Sequence, residues 1–597
     1  MLRFYAVFVY IYFRNLIVMN QLSIKSFGLV LFFLLNAGVM SAQYKQTVVN
    51  KTQLLFNKNH MIPVGRLDEI KIAVVTPNPE KYKTFIQQIG RYSDIVSFDF
   101  SKFDEDTKYF NTIIVGGMES DLNQEMLYML KQSLVNRKNI ILCRFQDVGK
   151  NLPQWSPLLG GRIAELGYPS FSDVAQRNMA MSIFGGLAIT EGNISNRTEQ
   201  TRLQYTQGEG SGLNIAKMAQ KIDLIANEAI REKAAPGMVV MAVKNGQVLF
   251  EKAYGTHTYE KTIPTVISDI FDLASVSKIA GTTPVIMHLQ EKGVINLDST
   301  MGHYLWQAKG SNKADITLRT VLLHEAGFAP YIPFYRSLKP GDIQKTYSDT
   351  HQTKLADNAY LINHYYRDVM WPEMLKSSVK PIGEYVYSDI SMYVMKEVAE
   401  HETAIPMDEY VQQILYRPIG MKTAGYNPRE HFDKRQIVPT EHDTSFRKVL
   451  LEGYVHDQGA AMAGGVAGHA GLFSTANDLA IYGQLLLNRG EYGGVRYFKP
   501  ETVDMFTSKQ SKTSRRGLGF DRADPNPKNE YPSRLANISV FGHTGYTGTC
   551  IWIDPKNQLT YIFLSNRVHP QVSNKLSDLS IRGRMLDAIY ETINEAK

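Results

Sequence analysis

Short apolar runs alternate with amphipathic ones in the first part of this chain. Lys71-Ile72-Ala73-Val74-Val75-Thr76 predicts a strand, as do Thr112-Ile113-Ile114-Val115 and Asn139-Ile140-Ile141-Leu142-Cys143. Between the last two, residues 122–135 carry a helical period. Strands that are apolar at nearly every position, joined through a helix, predict an α/β domain with a parallel sheet covered on both faces. The pattern ends before the polar stretch Tyr205-Thr206-Gln207-Gly208-Glu209-Gly210-Ser211-Gly212, which reads as a linker. Its glycine spacing is wrong for a phosphate-binding loop, and no strand leads into it.

The second part has a different rhythm. Residues 215–231 predict an amphipathic helix. Met238-Val239-Val240-Met241-Ala242-Val243 and Val248-Leu249-Phe250 predict a hairpin turning at Asn245-Gly246. A helical middle follows, strands return at 548–553 and 560–565, and a helix over 576–593 comes last. Strands on both sides of a helical middle predict an α+β domain whose sheet joins its two ends.

At the N-terminus, Lys25 precedes an apolar run over 28–40 and then Ser41-Ala42-Gln43, the layout of a cleavable signal peptide. Met19 is a second candidate start, which makes 19–42 the working signal and 1–18 an upstream extension. The expected organisation is 1–42 signal peptide, 43–204 α/β domain, 205–212 linker and 213–597 α+β domain. An uncleaved anchor is the alternative, since 4–13 is also apolar. No later run reaches the roughly 20 apolar residues of a membrane span. The expectation is therefore an exported protein, periplasmic or secreted, with no stable span after cleavage.

Composition adds exclusions. The 597 residues are 44% hydrophobic and 21% charged, with a net charge of +7 and no basic run of the kind that binds nucleic acid. The two cysteines, Cys143 and Cys550, fall in different predicted domains and read as buried free thiols.

The chemistry begins at Ser275-Val276-Ser277-Lys278. On a helix, residues i and i+3 share a face, so the Ser275 hydroxyl and Lys278 amine can meet. A serine hydroxyl needs an adjacent base, and a lysine desolvated in a cleft can lose its proton and serve as one. Ser377-Ser378-Val379-Lys380 has the same spacing, but Pro381 follows it and disfavours helix there. After Ser275, by contrast, a mostly apolar helical stretch runs to Gly293. Pro284 inside it predicts a kink. A lysine-dependent serine hydrolase also needs a proton relay and an oxyanion hole. Tyr385-Val386-Tyr387-Ser388-Asp389 offers a phenol, and Gly542-His543-Thr544-Gly545-Tyr546-Thr547-Gly548 offers small residues for close backbone approach to a substrate.

In that order the three motifs resemble the serine β-lactamase and penicillin-binding-protein family over roughly 221–593. Ser275-Val276-Ser277-Lys278 matches its Ser-x-x-Lys, Tyr387-Ser388-Asp389 its Tyr-x-Asn, and His543-Thr544-Gly545 its Lys-Thr-Gly. The resemblance implies a β-lactamase/transpeptidase-like fold, Ser275 as acylated nucleophile, Lys278 as its base and Tyr387 as proton shuttle. It implies substrate contacts from Asp389, His543, Thr544, Gly545 and Tyr546, with the N–H groups of Ser275 and Tyr546 as oxyanion hole. No cofactor is expected, and no His-Glu-x-x-His or paired-cysteine motif supports a metal.

Two departures shift the reading. Asp389 replaces an amide by an anion, and His543 replaces a lysine by a group only partly charged near neutral pH. Both weaken the case for a dedicated β-lactamase. Related esterases, D-aminopeptidases and carboxypeptidases carry His-x-Gly there, so the resemblance implies an esterase or D-peptidase, acting on a small molecule, a peptide or a peptidoglycan fragment. The alternatives are a true β-lactamase or D-Ala-D-Ala carboxypeptidase, or a non-catalytic wall-glycan-binding protein. His324 and His469 read as structural, and the absence of Gly-x-Ser-x-Gly argues against an α/β-hydrolase. The first part, through Gln53-Leu54-Leu55-Phe56-Asn57-Lys58 and Met181-Ser182-Ile183-Phe184-Gly185-Gly186-Leu187, resembles the C-terminal α/β domain of family 3 glycoside hydrolases. The barrel bearing that family's nucleophile would lie upstream, where a signal peptide is expected instead, so the resemblance implies a scaffold or glycan-binding module.

Overall fold

The computed structural model describes residues 50–57, 59–102, 107–121, 124–145, 162–191, 197–260 and 262–597. The signal-peptide expectation lies outside them. Contacts along the chain divide it into one unit of 1–48 with 209–213 and a second of 49–208 with 214–597. The architecture below belongs to the second.

Its first layer is a six-stranded sheet of β1 (Gln53–Asn57), β2 (Ile72–Thr76), β3 (Ile95–Asp99), β4 (Thr112–Met118), β5 (Asn139–Phe145) and β6 (Ile163–Tyr168), in the order β1-β6-β5-β4-β2-β3. Strands β2 to β6 are parallel, but β1 runs antiparallel to β6, so the sheet is mixed rather than wholly parallel. The edge strands β1 and β3 are half exposed and interleave polar residues, which hides them from a search for continuous apolar runs. The helix expected at 122–135 is found at Gln124–Val135, where Met126 and Leu130 pack on Val75, Ile113, Val115 and Leu142.

The second sheet contains β7 (Gly237–Lys244), β8 (Gln247–Gly255), β9 (Asp521–Arg522), β10 (Phe541–Thr544), β11 (Cys550–Asp554) and β12 (Leu559–Ser565), in the order β9-β10-β11-β12-β7-β8. It is antiparallel throughout and joins the two ends of the region, as the sequence pattern predicts. The hairpin turns at Asn245 and Gly246, both with positive φ (51° and 74°), the geometry of a type I′ turn. The last helix departs from expectation. It is split into Lys575–Asp578 and Ile581–Glu595, because Ser580 adopts a left-handed φ of 50°.

Polar contacts tie the first layer to the second. Arg91 donates to Asn477 Oδ1 at 3.0 Å, pairs with Glu251 at 3.0 Å and stacks over Tyr205, whose hydroxyl reaches Asn477 Oδ1 at 2.7 Å. Cys143 and Cys550 are both free and buried, as expected. Among the described residues no helix is long and apolar enough to cross a membrane.

Candidate active site

A two-residue ladder, Phe271–Asp272 against Phe473–Ser474, holds the entrance to the Ser275 turn. Ala274 takes a φ of 46°, a left-handed conformation that costs about 1 kcal/mol or more without glycine. It is held there because its N–H donates to Asp272 Oδ1 at 2.9 Å. The chain then enters a π-turn over Lys278–Thr282, followed by an α-helix over Thr283–Glu291. The wider turn puts Pro284 at the first turn of that α-helix, where its missing N–H costs nothing. The kink expected at Pro284 is this π-turn.

Lys278 is wholly buried, and its ammonium donates to Ser275 Oγ at 2.9 Å, Asp389 Oδ1 at 2.8 Å and the His469 carbonyl at 3.2 Å. The Tyr387 ring stands 4.8 Å from Nζ. Burial favours the neutral amine, but Asp389 and Tyr387 outweigh it and raise the Lys278 pKa above its ordinary value. Desolvation alone therefore does not make the resting Lys278 a free base.

The Tyr387–Asp389 segment is fixed from behind. Ser388 donates its N–H to His324 Nδ1 at 3.2 Å and its hydroxyl to the Ala329 carbonyl at 2.6 Å, while the Asp389 N–H reaches the Pro330 carbonyl at 2.8 Å. The His324 ring packs 4.8 Å from that of Tyr387. His324 thus orients the phenol's backbone, in keeping with its structural reading.

His543 and Thr544 end β10, and Gly545 follows directly. Strand β9 pairs only with Phe541 and Gly542, so the outer side of this end is left open by the ladder. His543 Nδ1 lies 2.7 Å from the Thr544 carbonyl, an acceptor only, so Nδ1 carries the proton and Nε2 accepts from Arg516 at 3.4 Å. Burial, then Arg516 and Lys278, lower the His543 pKa to about 3. His543 is therefore neutral near pH 7, and the fixed cation beside it is Arg516. That guanidinium also donates to the Tyr385 hydroxyl at 2.8 Å and lies 5.4 Å over the Tyr387 ring. No motif marks it, since Ser514-Arg515-Arg516-Gly517 has no distinctive spacing.

A Cβ at Gly545 would lie 2.4 Å from the Leu273 carbonyl oxygen and 2.1 Å from Thr549 Oγ1, so only glycine fits. Thr547 and Thr549 staple the same contact, donating to the Asp272 and Leu273 carbonyls at 2.7 and 2.9 Å. This brings the turns of Ser275 and Tyr546 side by side, and neither residue's N–H has a hydrogen-bond partner among the described residues. Gly545→Ala is expected to cost about tenfold or more in kcat/KM for p-nitrophenyl acetate by separating the two turns. Unchanged kinetics would contradict the close approach.

Behind Lys278 lies a second pair. His469 Nδ1 faces the Ala467 carbonyl at 3.1 Å, and Nε2 faces Asp457 Oδ1 at 3.0 Å. Both partners accept, so His469 is an imidazolium. Burial opposes the charge, but Asp457 and Asp389 raise its pKa. Asp389, Asp457 and His469 bring potential ligand atoms within 4.8 Å of one another and could hold a metal only by giving up these protons. The rival Ser377 ends a helix over Trp371–Lys376, and its hydroxyl donates back to the Met374 carbonyl at 2.7 Å.

The sequence profile of the family described as Beta-lactamase matches residues 218–582, the stretch that contains every group above. The chain belongs to the beta-lactamase family. A protein of Escherichia coli (strain K12), named "Putative D-alanyl-D-alanine carboxypeptidase", is 30% identical over 430 residues, covering 66% of this chain and 94% of that protein. A Salmonella typhimurium protein of the same name is 31% identical over 369 residues, covering 57% and 80%. The solved structure of a penicillin-binding-protein homologue from Caulobacter crescentus aligns over 63% of this chain and 97% of its own, with a TM-score of 0.47 and 16% identity. This beta-lactamase-family protein is a hydrolase with a β-lactamase/transpeptidase-like fold, preceded by a mostly parallel sheet.

Proposed function

We propose that the protein is an exported serine hydrolase that acylates Ser275 with an ester or D-amino-acid peptide, peptidoglycan fragments included. The observation that carries this is the 2.9 Å contact of Ser275 Oγ with a buried lysine, beside two N–H groups with no partner among the described residues. In this reading Lys278, once deprotonated, takes the Ser275 proton as Oγ bonds to the carbonyl carbon. The Ser275 and Tyr546 N–H groups hold the oxyanion, and Tyr387 passes the proton to the leaving group. Water then hydrolyses the acyl ester. Asp389, His543, Thr544, Gly545 and Tyr546 line the bound substrate. Arg516, beside a neutral His543, supplies the charge for a substrate carboxylate, which supports D-Ala-D-Ala carboxypeptidase activity as the second reading. The limits 43–204, 205–212 and 213–597, and a glycosidase-derived scaffold role for the first layer, belong to the same proposal.

The test compares a p-nitrophenyl short-chain ester, nitrocefin and a D-Ala-D-Ala peptide, each beside Ser275→Ala. Ester or D-peptide turnover that vanishes in the variant supports the reading. Nitrocefin turnover far above both sinks the esterase and peptidase readings, and no turnover or adduct with any of them sinks catalysis itself.

The charge on Lys278 gives a pH prediction. An anionic Asp389 stabilises the ammonium, so kcat/KM for p-nitrophenyl acetate should rise towards alkaline pH as Lys278 loses its proton. Asp389→Asn should move that rise to lower pH by about one unit or more. An unmoved or alkaline-shifted rise would contradict Lys278 as base.

A further inference from the structure

The two carboxylates beside the nucleophile face both ways. Their buried partners, Lys278 and His469, are 0% and 4% exposed, whereas the side chains of Asp389 and Asp457 are 23% and 34% exposed. Each gives Oδ1 to its cation, and Asp457 Oδ1 also accepts the Ala460 N–H at 2.7 Å. Neither Oδ2 has a hydrogen-bond partner among the described residues. A third polar group joins them. The Tyr393 hydroxyl is buried with no hydrogen-bond partner among the described residues, and its ring lies 4.6 Å from that of His469. A Cβ at Gly459 would touch Tyr393 Oη at 2.7 Å and Asp457 Oδ1 at 3.3 Å, so hydroxyl and carboxylate stand together.

Two free carboxylate oxygens and a hydroxyl match an ammonium, which has three donors and no acceptor. An acylated amine fits poorly, because it offers one N–H and sets its carbonyl against the carboxylates. The position fits as well. The same Lys278 ammonium touches Ser275 Oγ and Asp389 Oδ1, and an α-amino group stands two bonds from the carbonyl carbon that Ser275 attacks. We propose that Asp389, Asp457 and the Tyr393 hydroxyl form a subsite for the free α-ammonium group of the acyl donor. The preferred substrate is then an ester or amide of a D-amino acid with an unblocked amino group, an inference that rests on the acyl-Ser275 reading above. A bound ammonium also competes with Lys278 for Asp389, which eases loss of the Lys278 proton to water.

The test measures kcat/KM for D-alanine p-nitroanilide and N-acetyl-D-alanine p-nitroanilide below the amine's pKa of about 8. Wild type should favour the free amine by about tenfold or more, as expected for a hydrogen bond between charged groups. Asp389→Asn should bring the ratio close to one, and Tyr393→Phe, which keeps the ring, should lower it. Equal or better hydrolysis of the N-acetyl compound, or a ratio unmoved in the variants, overturns the subsite. Ser275-dependent turnover of p-nitrophenyl acetate with neither anilide hydrolysed overturns the subsite alone. Loss of ester turnover as well overturns the acyl-serine reading with it.

Discussion

Ser275→Ala should lower kcat/KM for p-nitrophenyl acetate by about 10⁴-fold or more, as loss of the nucleophile does in other serine hydrolases. Ser277, the nearest serine in sequence, is no substitute: it is fully buried and accepts the Leu472 N–H at 3.0 Å. The variant should fold, since Ser275 makes one side-chain hydrogen bond and the strained Ala274 before it is held by Asp272. Residual activity should come from the oxyanion hole and binding alone. A loss of tenfold or less, with the circular dichroism of wild type, would mean that the reaction runs elsewhere.

Asp443→Ala should destabilise the protein by about 3–5 kcal/mol, the cost of stranding one charge of a buried pair. Asp443 and Arg447 are 1% and 0% exposed and meet at 2.9 Å. The carboxylate also accepts the N–H groups of Ser445, Phe446 and Arg447 at 3.0, 2.8 and 3.0 Å. Without it the guanidinium stays buried on the Val455 and His456 carbonyls, each at 2.7 Å. Those carbonyls lead into Asp457, and the His456 N–H holds Asp272 Oδ2 at 2.6 Å, so the loop ties the site to the fold. Burial opposes ionisation of Asp443, but the Phe446 and Arg447 donors win and lower its pKa to about 2. Its stabilisation is complete above the unfolded value, about 3.9, and is lost as pH falls through about 2. The urea midpoint at neutral pH reads the effect, and a loss under about 1 kcal/mol would contradict it.

The sequence exposes some of this design and hides the rest. The hairpin is legible because Asn245-Gly246 marks its turn, and Ser275-Lys278 because the pair lies within one helical turn. The protonation of that pair is not, since it depends on Asp389 and Tyr387, 111 and 109 residues downstream of Lys278. Arg516 is hidden for the same reason, being defined by Tyr385 and His543 rather than by its neighbours in sequence. Edge strands β1 and β3 escape because half-exposed strands lose the continuous apolar signal. The break at Ser580 escapes because a left-handed serine leaves no composition signal.

The central claim is a covalent acyl-Ser275 intermediate. Its direct measurement is an acid-quenched reaction with p-nitrophenyl acetate, digested and mapped by mass spectrometry. One acetyl ester on the peptide carrying Ser275, absent from Ser275→Ala, is the predicted result. Turnover with no ester on Ser275, or with the acetyl group on another residue such as Ser377, would contradict it.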